Sequence, residues 1–189
     1  IPQMTREDFR QAIEGPVAVG GGSISPFLVQ QLLNDIGDNP DQLPILQHAL
    51  MRTWDYWVKS GNTEAPINLR DYENIGKLEK ALSEHANEAY NELTQQQKDI
   101  CQIIFKTLTE KGNDNRGVRR PTAISEITNI ALCDKQDIIE VVENFRKPSR
   151  SFLTPGVGIK LDENTIVDIS HESLMRIWDK LIIWVSEEY

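Results

Sequence analysis

Three histidines and two cysteines are the chain's scarce chemistry-bearing residues, and the histidine whose neighbours best suit a ligand is His171. It stands in Ser170-His171-Glu172-Ser173, between a β-prone run (Thr165, Ile166, Val167, Ile169) and an apolar stripe at helical spacing. Ser170 has the chemistry of a helix N-cap, so His171 would lie beside free backbone N–H groups, a setting suited to an anion. The same position suits a histidine that simply bonds its own helix, and the residues alone favour that plainer reading. His48 and His85 lie on or beside apolar helical stripes and read as packing or surface residues. Gly20-Gly21-Gly22 suggests a phosphate cradle, but the P-loop pattern G-x-x-x-x-G-K-[ST] requires a lysine, and Ser23-Ile24-Ser25 follows instead. The loop therefore reads as a flexible or tight-turning connection. Carboxylates are scattered over helix faces with no pair to place across a cleft. Cys101 and Cys133 lie far apart inside apolar patterns without CxxC spacing, so they read as reduced core residues of an intracellular protein rather than zinc or redox ligands.

A net charge of −9 argues against a dedicated nucleic-acid or anionic-membrane binder, both of which need a basic footprint. Basic residues do gather outside the expected helices, as Arg116, Arg119, Arg120, Arg146, Lys147 and Arg150. Of these, Arg116, Arg119 and Arg120 are the candidate phosphate or nucleic-acid contacts, set against the plainer role of keeping a loop solvated. No apolar run reaches the ~18 residues of a membrane span, and no signal peptide is seen. The chain opens at Ile1-Pro2 and reads as an excised, cytoplasmic fragment of something longer.

The positioning elements follow from periodicity and punctuation. A first helix after Thr5 is expected to end at Gly15-Pro16. A second starts at Ser25-Pro26 and ends at Gly37. A third runs from Leu43 to Lys59, with Trp54 and Trp57 at its far end. A further turn lies at Leu69 to Tyr72. From Leu78 a helix reaches Leu93, and Thr94 caps another, expected to run to Gly112. Asn113 to Pro121 reads as an exposed loop. A short helix from Thr122 and a longer one capped by Asp134 follow. Two β-prone runs, 151–154 and 165–169, then form a hairpin before a last helix with Leu174, Ile177, Trp178, Leu181, Ile182 and Val185 inward. The fold class is mainly α: a small helical bundle over 1–76, followed over 77–189 by a winged helix-turn-helix domain with a β-hairpin wing.

Two segments carry a family resemblance. Pro40-Asp41-Gln42-Leu43-Pro44-Ile45-Leu46 resembles the Gly-Leu-Pro-Leu signature of the first helical domain in STAND-class signal-transduction NTPases, with Gln42 where that signature usually has glycine. Ile169-Ser170-His171-Glu172-Ser173-Leu174-Met175 resembles the strand-to-helix histidine motif of their winged-helix domain. The tryptophan-rich LPILQHALMRTWDYW and HESLMRIWDKLIIW phrases are similar to the bacterial novel STAND NTPases. The resemblance implies that 1–76 is the AAA+-type lid, with an upstream P-loop domain in cis that carries Mg2+. It implies ADP or ATP as cofactor, Leu43 and Pro44 packing against adenine or ribose, and His171 hydrogen-bonding the β-phosphate of ADP. It also implies a downstream effector such as a tryptophan-aspartate repeat propeller, and homo-oligomers of the parent in its ATP state. The fragment itself, lacking the P-loop, is expected not to be an enzyme, whereas the parent would be a slow ATPase. The alternative is a winged-helix DNA-binding or protein-interaction module without nucleotide.

Overall fold

The computed structural model describes residues 4–37, 42–111 and 117–187. Helix makes up 64% of it, and the strands form only small antiparallel sheets, so the chain is mainly helical. It divides into two compact units, Ile1–Leu82 and Ser83–Tyr189.

In the first unit α1 (Arg6–Val19), α2 (Pro26–Ile36), α3 (Leu43–Ser60) and α4 (Leu69–Asn74) surround one apolar core. The helix starts are fixed by side-chain caps. Thr5 Oγ1 accepts from the Asp8 N–H at 3.2 Å while Asp8 Oδ2 accepts from the Thr5 N–H at 2.7 Å, a reciprocal box. Those bonds hold the Asp8 carboxyl below its ordinary range. Ser25 Oγ accepts from the Leu28 N–H at 3.2 Å. Contrary to the sequence expectation, Pro16 does not end α1 but lies inside it. Its fixed φ suits a helix, and only the bond to the Ala12 carbonyl is forfeited. Buried Val17 anchors the extra turn, which closes with the Gly20 N–H on Pro16 O at 3.0 Å. Leu28, Leu32, Leu46, Ala49 and Tyr72 are essentially sealed from solvent. The Tyr72 hydroxyl donates to Asp35 at 2.9 Å and accepts from the Leu78 N–H at 2.8 Å, and burial pushes its pKa upward.

The triple glycine has a packing role. A Cβ at Gly20 would come within 2.6 Å of the Trp54 ring and one at Gly22 within 2.8 Å, while Gly21 has φ +78°. The indole of Trp54, tilted on Trp57 with centroids 5.0 Å apart, thus fills the space that side chains would need.

The second unit takes most of α5 (Lys77–Asn91), then α6 (Gln95–Thr107), β1 (Thr109–Lys111), β2 (Gly117–Arg119), β3 (Thr122–Ala123), α7 (Ile124–Ala131), α8 (Lys135–Arg146), β4 (Leu153–Thr154), β5 (Ile166–Ile169), α9 (Ser173–Ile177) and α10 (Asp179–Ser186). Strands β4 and β5 pair as the expected hairpin, with Leu153 opposite Ile169. On its other edge β5 pairs with β3, Thr122 opposite Val167, giving the order β3-β5-β4. Three expectations fail here. The helix from Thr94 stops at Thr107, because Leu108 turns fully into the core and Thr109 begins a strand. The expected loop then holds β2, paired with β1 through Glu110 and Val118. The expected N-terminal residues of α7, Thr122 and Ala123, belong to a strand instead.

A fourth expectation fails at the last helix, which is broken in two at Trp178, whose ψ of 105° is extended. The indole is fully buried, edge-on to Phe105 at 5.0 Å and to Trp184 at 5.3 Å. Its Nε1–H donates to Asn87 Oδ1 at 2.9 Å. Core packing and that bond outweigh the helical bond sacrificed at the break. Past it the stripe loses its uniform burial: Leu181 is sealed but Ile182 is 43% exposed.

Candidate functional site

His171 lies on the exposed connection between β5 and α9. Strand β5 is tied on both edges, and α9 packs inward through Leu174 and Met175, so the connection is held at both ends. The expected cap does not form. Ser170 is exposed and uses its own N–H on Phe152 O at 2.9 Å, while α9 begins three residues later at Ser173. The capping acceptor is His171 itself, whose Nδ1 receives the Ser173 N–H at 3.1 Å and lies 2.8 Å from Ser173 Oγ. The plainer reading of His171 is therefore realised, but at one ring nitrogen only. Among the described residues no hydrogen bond reaches Nε2. The sequence alone gives Ser173 no role; a hydroxyl two residues after a histidine is the available signal.

Leu43 and Pro44 open α3 and are half-buried, Leu43 lying partly against the first unit's core and Pro44 taking a first-turn place where its missing N–H costs nothing. Gln42, just before them, makes no side-chain cap, and its Oε1 is buried without a hydrogen-bond partner among the described residues.

The arginines are largely committed to the fold. Arg119 Nη1 donates to Asp168 Oδ2 at 2.8 Å and to Ile169 O at 3.1 Å, bracing the strand that leads to His171. Arg120 forms an exposed pair with Glu126 at 2.7 Å. Arg116 lies outside the described residues. Arg146 and Arg150, expected on solvated loops, are buried. Arg146 binds three backbone carbonyls, and Arg150 binds Asn144 and Glu92, whose carboxyl it holds below the ordinary range. A cavity of about 500 Å³ between α6, β1 and α7 has Lys106, Glu110 and Arg120 at its wall, with Ile103 and Ile130; neither His171 nor Leu43 nor Pro44 lines it. Among the described residues no group of three or more His, Cys, Asp or Glu could hold a metal, and no helix is long and apolar enough to cross a membrane.

The other histidines are packing residues. His85 is buried edge-on to Phe152 at 5.2 Å. Burial, and then the charge of Arg52, lower the His48 pKa from 6.5 to about 4. Because the unfolded chain takes up a proton first, this stability is intact above pH 6.5 and is lost as pH falls through about 4. Between pH 7 and 4.5 the wild type should lose about 2 kcal/mol more than His48→Gln in urea unfolding. Parallel pH profiles for the two proteins would refute the placement of His48. Cys101 is buried, which pushes its thiol pKa up, and Cys133 is half-buried.

Comparisons with curated proteins and with solved structures give no match to this chain. A family model does match, and it spans residues 1–189, including both the Leu43-Pro44 helix start and the His171 connection. The chain belongs to the Novel STAND NTPase 1 family.

Proposed function

We propose that this chain is the nucleotide-sensing part of a STAND-type regulatory NTPase, in which bound ADP holds a closed form and ATP releases an assembly-competent one. A P-loop domain elsewhere in the parent protein would hold the nucleotide and its Mg2+. His171 would donate from Nε2 to the β-phosphate, and Leu43 with Pro44 would pack against adenine or ribose. The observation that carries the reading is the division of labour in the His171 ring. Nδ1 is occupied by the ring's own helix, while Nε2, on an exposed connection, is left to meet a ligand.

Within this reading the first unit is the lid and the second a winged-helix domain. The order α6, β3, α7, α8, β4, β5, with a three-stranded antiparallel sheet, supports the winged helix. A DNA-binding role finds no comparable support. Helix α8, which would enter the groove, carries Asp137, Glu140 and Glu143, and Arg119, Arg120 and Arg146, nearby among the described residues, are spent on Asp168, Glu126 and backbone carbonyls. The chain alone holds no P-loop lysine and would not hydrolyse nucleotide; hydrolysis belongs to the parent, and a γ-phosphate that displaces the His171 contact would shift the population towards the open form. In a protein joining the P-loop domain to this chain, His171→Ala should weaken ADP binding about 10-fold or more, the size of one hydrogen bond to a charged group. It should also raise oligomerisation in light scattering. Unchanged ADP affinity together with an unchanged oligomeric state would rule the sensor out.

A further inference from the structure

We propose that Ser173 is the positioning residue that holds His171 in its Nε2–H tautomer, so that the ring offers a neutral hydrogen-bond donor to a phosphate oxygen; the phosphate rests on the nucleotide reading above. A neutral imidazole carries one N–H, and which nitrogen bears it is decided by what meets the other. Here Nδ1 faces two polar groups of one residue. The Ser173 backbone N–H, which can only donate, approaches at 3.1 Å, and the Ser173 hydroxyl lies at 2.8 Å. Ser173 is 6% exposed, so its hydroxyl has little access to water, and Nδ1 is the acceptor within reach. A proton on Nδ1 would set two N–H groups against each other and leave the hydroxyl without its acceptor. The ring proton therefore belongs on Nε2.

The tautomer selects the ligand class. An Nε2 bearing a proton has no lone pair for a metal cation and cannot accept from an amine or amide. It can donate to an anionic oxygen. Helix α9 is only five residues long, so the selectivity comes from the ring and its serine rather than from a helix dipole. The ring is also fixed in rotation, because swinging Nε2 away from the ligand would break both bonds at Nδ1. Second contacts of this kind orient functional histidines generally.

Nitrogen-15 NMR of the histidine rings of this chain at neutral pH reads the tautomer without any nucleotide. The wild type should show His171 in a single Nε2–H form; Ser173→Ala, which keeps the backbone N–H but loses the hydroxyl that also needs Nδ1 as its acceptor, a partial shift towards Nδ1–H; and Ser173→Thr, which keeps both groups, a return to the single form. In the protein joined to its P-loop domain, Ser173→Ala should weaken ADP binding 3- to 10-fold, and should have no further effect when His171 is already alanine. Identical ring spectra for the wild type and Ser173→Ala would overturn the positioning role, even if His171→Ala weakens ADP binding. A tautomer that shifts as expected while neither Ser173→Ala nor His171→Ala changes ADP affinity would overturn the phosphate assignment and the nucleotide reading with it, leaving only a structural pair.

Discussion

Trp178→Ala should cost the chain about 3–5 kcal/mol in urea unfolding, the range for emptying a large aromatic site in a core that cannot collapse to fill it. The indole is fully buried at the centre of an aromatic cluster, with ring centroids 5.0 Å from Phe105, 5.8 Å from Phe145 and 5.3 Å from Trp184. Alanine would remove all three contacts and leave Asn87 Oδ1 without its donor. Trp178→Phe separates the two contributions. It keeps most of the ring volume and loses the Nε1–H, so about 1–2 kcal/mol is expected from the unmet amide oxygen and the imperfect fit. Against a total stability of ~5–15 kcal/mol for a domain, the alanine variant should also show a weakened near-ultraviolet signal. An alanine variant within 1 kcal/mol of wild type would mean that Trp178 does not hold the core together.

The same residue shows where sequence reading succeeds and where it stops. Leu174, Trp178 and Leu181 all point inward as the apolar period requires, and Leu174, Trp178 and Leu181 are all buried. Periodicity registers spacing, however, and not the pull of a partner; Asn87, 91 positions away, and the aromatic cluster together break the helix that the period makes continuous. Local signals fared well because their partners are local. The caps at Thr5, Ser25 and Thr94 formed as their residue types require, and the 151–154 and 165–169 runs produced a paired hairpin. Signals with distant partners were only half legible. Gly20 and Gly22 do lie in a turning connection, as expected, but the need for glycine there comes from Trp54 in another helix. Strands β1 and β2 are three residues each, too short for alternation to declare itself. At the candidate site the position of His171 was legible, but its hydrogen bond was not: Ser170 has the chemistry of a cap, and only the fold shows the helix starting three residues beyond it, at Ser173.

Arg146 is the other residue whose removal should be severe, and its role reverses the sequence expectation of a solvated cation. Its side chain leaves the last turn of α8 and is 3% exposed. Nη1 donates to the carbonyls of Pro155 at 3.0 Å and Gly156 at 2.8 Å, and Nη2 to that of Ile159 at 2.8 Å. The remaining face meets Glu143 through Nε at 2.8 Å and Nη2 at 2.6 Å. One guanidinium therefore satisfies three backbone acceptors of the loop between β4 and β5. Arg146→Met keeps the aliphatic stem but strips every donor, and about 2–4 kcal/mol should be lost because the Pro155 and Ile159 carbonyls lose the guanidinium and Gly156 O keeps only the Ile159 N–H. Arg146→Lys, with one ammonium for a planar fork, should recover only about half of that. Glu143 bounds the ionic share: its side chain is 44% exposed, so Glu143→Gln should cost under about 1 kcal/mol. Hydrogen exchange distinguishes loop release from general weakening. The Ile159 N–H, bonded to Gly156 O at 3.0 Å, should exchange much faster in Arg146→Met, while the amides of α6 should change only by the global loss. Equal stability of Arg146→Met and wild type, with unchanged exchange at Ile159, would show that the loop holds its shape without the arginine.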